Sequence, residues 1–95
     1  MPMGIAMGPC GRLYVADYGN DSIRCVDRDG NVSTVAGRPW QPGEAVGRSI
    51  DGDLTVARFN DPNSVAVASD GTIYVGEDAG KCVRQIRQGV VSTVC

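Results

Sequence analysis

Two arginines at equivalent positions of an internal repeat, Arg24 and Arg84, are the residues of this chain most suited to binding chemistry. A guanidinium group recognises carboxylates through paired hydrogen bonds, so a repeated arginine could hold an acidic partner or the carboxylate of a substrate. The alternative is structural, with each arginine paired to an acid of the neighbouring copy, for example Asp17 or Glu77. We predict the structural pairing and keep both arginines as candidate binding residues.

Trp40 is the third candidate binding residue and the single tryptophan of the chain. It stands in a segment rich in proline, glycine and charge, which predicts a surface loop. An exposed tryptophan could anchor a protein partner, because interface hot spots favour this residue. The alternative, which we predict, is that Trp40 covers the end of its own sheet. Phe59, further along the same connection, is predicted to pack back onto a sheet.

Three groups of acidic and amide residues could offer oxygen ligands to a calcium ion. The groups are Asp17 with Asn20 and Asp21, the run 27–31, and Asp51 with Asp53. We predict that all three are turns, because Asp and Asn side chains hydrogen-bond nearby backbone N–H groups. An EF-hand loop that began at Asp27 would need a bidentate Glu at its twelfth position, which is Arg38 in this chain. The sequence predicts no metal site and no cofactor.

The chain contains no histidine, which removes the commonest general base and the commonest transition-metal ligand. A cysteine nucleophile would lack an evident base. We identify no catalytic residue, and the sequence favours a non-enzymatic role. The net charge is −2 and the nine basic residues are scattered, so the basic footprint of a nucleic-acid-binding protein is missing. No apolar run approaches the length of a membrane span.

The four cysteines are Cys10, Cys25, Cys82 and Cys95. None of them form a C-x-x-C spacing, which argues against a zinc ribbon or a thioredoxin-like motif. Free thiols are favoured, because cysteine packs as a small hydrophobe; a disulfide framework is the alternative, with three possible pairings. The N-terminal residues show no signal-peptide pattern, and the sequence assigns no compartment.

An internal repeat with an offset of sixty residues organises the whole chain. The segment from Pro2 lies over the segment from Pro62 without a gap, and one deletion in the second copy then aligns Val32 with Val91. Conservative pairs, such as Leu13 with Ile73, extend the match. The identical pairs are Pro2/Pro62, Ala6/Ala66, Gly11/Gly71, Tyr14/Tyr74, Val15/Val75 and Arg24/Arg84.

Each copy is predicted to contain four short strands. They cover 4–8, 13–16, 22–27 and 31–36 in the first copy, and 64–68, 73–76, 82–87 and 90–94 in the second. These runs are rich in Val, Ile and Tyr and are bounded by Gly, Asp and Asn, as strands are. Asp29-Gly30 predicts a type I′ hairpin. The gaps are too short for crossover helices, so each copy is an antiparallel meander, with units at 1–36 and 62–95 and a connector loop at 37–61.

The first copy, GIA…GRLYVADYGNDSIRCVDRDGNVSTVAG, resembles an NHL repeat, and the second, VAVASDGTIYVGEDAGKCVRQI…VVSTV, matches it more loosely. The connector IDGDLTVARFNDP is similar to the inter-blade connection of that family. The resemblance implies an all-β fold with two four-stranded antiparallel blades of a β-propeller. It leaves function open, because the fold supports many activities.

Two blades cannot close a propeller, which has four to eight. If each bare sheet face carried about 400 Å² of apolar surface, leaving it exposed would forfeit about 10 kcal/mol at about 25 cal/mol per Å². We therefore expect self-association, for example a trimer with six blades, or a place in a longer propeller. The predicted function is a protein- or ligand-binding scaffold. The alternatives are the framework of a propeller lyase or hydrolase and, disfavoured by the acidic charge, an RNA-binding NHL domain.

Overall fold

The computed structural model of the chain describes residues 2–9, 11–39, 49–78 and 81–95. The first sheet contains β1 (Pro2–Met7), β2 (Leu13–Asp17), β3 (Ser22–Val26) and β4 (Val32–Gly37), with a short 3-10 helix at Tyr18–Asn20. The second sheet contains β5 (Gly52–Asp53), β6 (Pro62–Val67), β7 (Ile73–Glu77), β8 (Cys82–Arg87) and β9 (Val90–Thr93). The described residues form no α-helix.

Both sheets are antiparallel meanders, as predicted. The strand order is β1-β2-β3-β4 in the first sheet, which we call blade 1, and β5-β9-β8-β7-β6 in the second sheet, blade 2. The sixty-residue offset holds in three dimensions: Val15 lies opposite Arg24 in blade 1, and Val75 lies opposite Arg84 in blade 2. The register shift in the pairing of the first strand also recurs: it follows Pro2 in β1 and Pro62 in β6. The fold is that of two stacked blades of a β-propeller.

The connector contributes a strand that the sequence did not predict. The turn expected at Asp51–Asp53 is wrong in position, because Gly52 and Asp53 form β5 and pair with Val91 and Val90 of β9. The turn follows at 54–56, where Asp53 Oδ1 accepts from the N–H groups of Thr55 and Val56 at 2.9 and 3.0 Å. A single helical turn follows, in which the Ala57 N–H donates to the Asp53 carbonyl at 3.0 Å. Pairing with a distant strand overrides the local turn preference of Asp-Gly. Blade 2 is therefore a five-stranded sheet with β5 as one of its edge strands.

The two β-hairpins between the third and fourth strands differ in turn type. At the blade 1 hairpin only Gly30 has a positive φ, +87°, and its N–H donates to the Asp27 carbonyl. This is a type I turn followed by a glycine bulge, so the predicted type I′ turn is wrong at Asp29-Gly30. In blade 2, Gln88 and Gly89 both have positive φ, at 52° and 76°, as a two-residue type I′ turn requires. The one-residue deletion in the second copy shortens this loop.

Each blade has two faces, which we name by the residue type that marks them. The arginine face carries Arg24 in blade 1 or Arg84 in blade 2, and the tyrosine face carries Tyr14 or Tyr74, because strand side chains alternate. The tyrosine face of blade 1 packs on the arginine face of blade 2. The buried residues at this junction are Ala16, Ile23 and Ala36 from blade 1 and Ile73, Val75, Ile86 and Val91 from blade 2.

Phe59 closes the same junction from the connector. Its side chain has no exposed surface and belongs to the core together with Ala57, which confirms its predicted packing role. The predicted covering role of Trp40 lies outside the described residues. The structure describes no helix long and apolar enough to span a membrane.

Candidate functional site

Arg84 lies at the centre of a buried cluster between blade 2 and the connector. Its Nη1 donates to the Arg58 carbonyl at 2.9 Å and to Glu77 Oε2 at 3.0 Å. Its Nη2 donates to the Ile50 carbonyl at 2.9 Å and to Asp51 Oδ1 at 2.7 Å. Three of these four acceptors belong to the connector. The arginine therefore joins the connector to the blade.

The ring of Phe59 completes the surroundings of Arg84, with its centroid 5.3 Å from the guanidinium carbon. This is within the range of a cation–π contact. The Arg84 side chain has no exposed surface, so it offers nothing to a ligand approaching from solvent. The structure favours the structural alternative for this residue.

Glu77 is the acid of this cluster. Its Oε2 accepts from the Asn60 N–H at 2.7 Å as well as from Arg84. Its Oε1 accepts from Ser49 Oγ at 2.6 Å and from Cys82 Sγ at 3.0 Å. The carboxylate is thus compensated by one charge and three further donors, as a buried ion needs. The partner of Arg84 comes from the same blade, so the prediction of an acid from the neighbouring copy is wrong.

Asp51 is a second acid that reaches Arg84, and sequence reasoning missed it. Thr93 Oγ1 donates to the same Oδ1 at 2.9 Å. Burial raises the pKa of Asp51, but the hydrogen bonds from Thr93 and Arg84 outweigh burial and hold that pKa below its ordinary value. Nothing in the local sequence distinguishes this residue from a turn residue, because its role depends on the pairing of β5 with β9.

Arg24 occupies the equivalent position of blade 1 in a much more open setting. Its Nη1 lies 3.6 Å from Asp17 Oδ2, and 32% of its side chain is exposed. Within the described part of the chain, its buried Nε has no hydrogen-bond partner. Arg24 lines a cleft of about 210 Å³ together with Val15, Asp17, Val26 and Val32. Arg24 is thus the one of the two arginines that keeps access to solvent.

Most of the other predicted turn residues act within their own segments, whereas Asp21 Oδ1 accepts from the distant Asp61 N–H at 3.1 Å. Asn20 Nδ2 donates to Asp17 Oδ2 at 2.9 Å. Asp27 Oδ1 accepts from the N–H groups of Asp29 and Asn31, each at 2.9 Å, and the Asn31 N–H is the main cause that lowers the pKa of Asp27. This confirms the turn prediction for Asp27. The ranges that the structure describes contain no group of three or more acidic or cysteine ligands suited to a metal ion.

Three cysteines fall within the described residues, and all are free thiols: Cys25 is buried, Cys82 is half-buried and Cys95 is exposed. Burial, followed by the hydrogen bond to Glu77, raises the pKa of the Cys82 thiol. A raised pKa opposes thiolate formation, so Cys82 is poorly suited to act as a nucleophile. Cys10 and Trp40 lie outside the described residues.

No family model matches the chain. Among curated proteins, teneurin-3 of Danio rerio is 32% identical over 99 residues, covering 87% of this chain and 3% of the teneurin. Teneurin-m of Drosophila melanogaster is 28% identical, covering 95% of this chain and 4% of its own length. The chain therefore spans a very small part of the curated relatives that it matches.

Two solved structures are similar over almost the whole chain. A structural genomics protein of unknown function from Bacteroides thetaiotaomicron has a TM-score of 0.78 at 29% identity, covering 99% of this chain and 22% of that protein. Virginiamycin B lyase from Staphylococcus aureus has a TM-score of 0.64 at 18% identity, with coverages of 97% and 26%. Both are propeller proteins, and the second likeness concerns the fold alone.

Proposed function

We propose that the chain is an NHL-type propeller segment that acts as a binding scaffold, and that its partners are further blades. The carrying observation is the exposure of the arginine face of blade 1. Ile5, Met7 and Val32 of this face are 64%, 67% and 57% exposed. Val91, the counterpart of Val32 in blade 2, has no exposed surface. Exposed apolar surface of this kind marks an interface.

A second copy of the chain is the partner that fits. Inside the chain, a tyrosine face already packs on an arginine face, which leaves the opposite pair bare: the arginine face of blade 1 and the tyrosine face of blade 2, where Tyr74 is 37% exposed. Contact between these two unlike faces is heterologous, and such contacts close into rings when the rotation allows. Three copies would supply six blades, within the range of known propellers. Further blades of a longer polypeptide would satisfy the same faces.

Sedimentation equilibrium over a series of micromolar concentrations tests this proposal. We expect reversible association toward a closed ring, with a mass three times that of the chain. Met7→Glu places a charge on the bare arginine face and should abolish association. Val56→Glu is the matched control, because Val56 is 51% exposed on the connector and lies outside the strands of both blades. A folded chain that stays monomeric throughout the series would refute self-association.

A further inference from the structure

Three polar side chains of blade 2 that hold the connector have counterparts at the same positions of blade 1. Arg24, Asp17 and Thr34 of blade 1 occupy the register positions of Arg84, Glu77 and Thr93 of blade 2. In blade 2 these groups all bind the connector or a residue that binds it. In blade 1 the described residues place no such segment over Arg24 or Thr34. Blade 1 therefore presents an arginine and a threonine at the positions that hold the connector in blade 2.

The arginine face is more exposed in blade 1 than in blade 2, where the connector and the tyrosine face of blade 1 both pack on it. The Arg24 side chain is 32% exposed, whereas the Arg84 side chain has no exposed surface. The strand edge differs in the same way: among the described residues β4 is the last strand of its sheet, whereas in blade 2 β5 lies outside β9. In blade 2 the backbone of Val91 pairs with Gly52 of β5. The residue of blade 1 that aligns with Val91 is Val32 on β4. In the part of blade 1 that the structure describes, a partly exposed arginine, the edge of β4 and exposed apolar side chains therefore occur together.

We propose that the arginine face of blade 1 is a docking site for an extended peptide segment with the chemistry of residues 49–61. Such a segment carries an acidic residue for Arg24, a two-residue strand for the edge of β4, and an aromatic ring for the face of the guanidinium. The chain's own residues 49–61 are held by blade 2, so the occupant is a separate segment. This inference rests on the proposed function and deepens it by naming what binds beside the partner blade.

Charge complementarity selects this occupant. The segment in blade 2 delivers one carboxylate, Asp51, and two backbone carbonyls to Arg84. The cleft at Arg24 offers a guanidinium group on a side chain that is 32% exposed, together with apolar walls from Val15 and Val32. A purely apolar segment would leave the guanidinium uncompensated, and burying it would then cost free energy. An acidic, aromatic segment satisfies both parts of the cleft.

A synthetic peptide with the sequence of residues 49–61, SIDGDLTVARFND, labelled with fluorescein at its N-terminus, is the probe. Fluorescence anisotropy follows its titration with the full chain. We expect saturable binding that weakens at least tenfold in Arg24→Gln, as expected when a charge-assisted hydrogen bond is lost. Arg87→Gln is the matched control: it removes the same charge at an exposed position of blade 2 and should bind normally.

Peptide variants test the chemistry of the segment. A peptide with Asp51→Asn or with Phe59→Ala should also bind at least tenfold more weakly, since each loses the contact made to the guanidinium. Absence of saturable binding at millimolar peptide would overturn the proposal. Equal loss in Arg24→Gln and Arg87→Gln would overturn it too, by showing attraction to charge alone. Circular dichroism confirms that both chain variants fold.

Backbone NMR shifts provide a second readout. Adding the peptide should shift the amides of Val15, Arg24 and Val32, whereas shifts confined to blade 2 would contradict the proposed site. The experiment also separates this inference from ring formation. A chain that stays monomeric but binds the peptide refutes self-association only, and a chain that forms rings but ignores the peptide refutes the docking site only.

Discussion

The ring of Phe59 packs directly against the backbone of Gly37. A Cβ added to Gly37 would stand 2.7 Å from Phe59 Cδ2 and 2.6 Å from the Asp21 carbonyl oxygen. Gly37 also has a φ of +83°, which L-residues with a side chain rarely adopt. The last residue of blade 1 is therefore fixed both by its conformation and by the aromatic ring that the connector brings.

Gly37→Ala should destabilise the chain by about 2–4 kcal/mol, since strain at positive φ adds to the displacement of Phe59. Urea denaturation followed by circular dichroism measures the change. Gly30→Ala is the matched control, because Gly30 has a φ of +87° but nothing within 4 Å of the added Cβ. It should cost only about 1–2 kcal/mol. Equal losses in the two variants would show that Phe59 does not constrain Gly37.

Arg84→Gln should be far more destabilising than Arg24→Gln. Removing Arg84 leaves the buried Glu77 without its charge partner, and breaking a buried pair in this way costs about 3–5 kcal/mol. Arg24 is partly exposed and its ion pair is long, so the same change there should cost less than about 1 kcal/mol. Denaturation midpoints compare the two variants. Similar losses would contradict the different roles assigned to the two arginines.

Acid should weaken the attachment of the connector through Asp51. The pKa of this carboxyl is lower in the folded chain than its ordinary value, so its contribution to stability is present above the ordinary pKa. That contribution is lost as the pH falls below about 4 and through the lowered pKa. In Asp51→Asn, the unfolding free energy should fall less steeply as the pH is lowered through this range. The difference from the unchanged chain should be less than about 1 kcal/mol, because the Asp51 side chain is half exposed.

Asp78→Asn is the comparison for the acid experiment, since Asp78 is exposed in the turn after β7. Urea denaturation at a series of acid pH values measures both variants. An acid limb in Asp51→Asn that matches that of the unchanged chain would contradict a role for Asp51 in acid sensitivity.

Alkylation should distinguish the thiols. At mildly alkaline pH, Cys95 should react with iodoacetamide about tenfold faster than Cys82, because burial and Glu77 raise the pKa of Cys82 and thiolate is the reactive form. Peptide mapping by mass spectrometry resolves the individual sites. In the urea-unfolded chain the difference should vanish. Equal rates in the folded chain would show that Glu77 and burial do not suppress ionisation of Cys82.

Gln88→Asn should stabilise the chain by about 0.5–1 kcal/mol. Gln88 has a φ of 52° in a two-residue turn, and Asn-Gly is the preferred sequence for a type I′ turn. Asp29→Asn supplies the matched control, because the φ of Asp29 is not positive and a similar gain is not expected there. Thermal denaturation compares the two, and a gain in both would indicate a general effect of asparagine.

The eight strands of the repeat could be predicted from the sequence, because their signals are local: apolar runs of four to six residues bounded by turn residues. β5 could not, since Gly52 and Asp53 have no strand propensity and become a strand only beside Val90 and Val91. The Arg84 cluster depended on the same pairing. The sequence indicated that the repeated arginines pair with acids, but the second acid of Arg84, Asp51, is brought to it by the connector.

The contacts between the connector and Arg84 also define the structural unit of the repeat, which is a blade together with the connector segment that precedes it. A blade cut at residue 62 is separated from the carbonyls and the carboxylate that hold its arginine. A cut between residues 39 and 49 keeps them together. Gene duplication or deliberate assembly of longer arrays would therefore conserve function best when each added unit begins ahead of its connector, so that every new blade arrives with the segment that completes it.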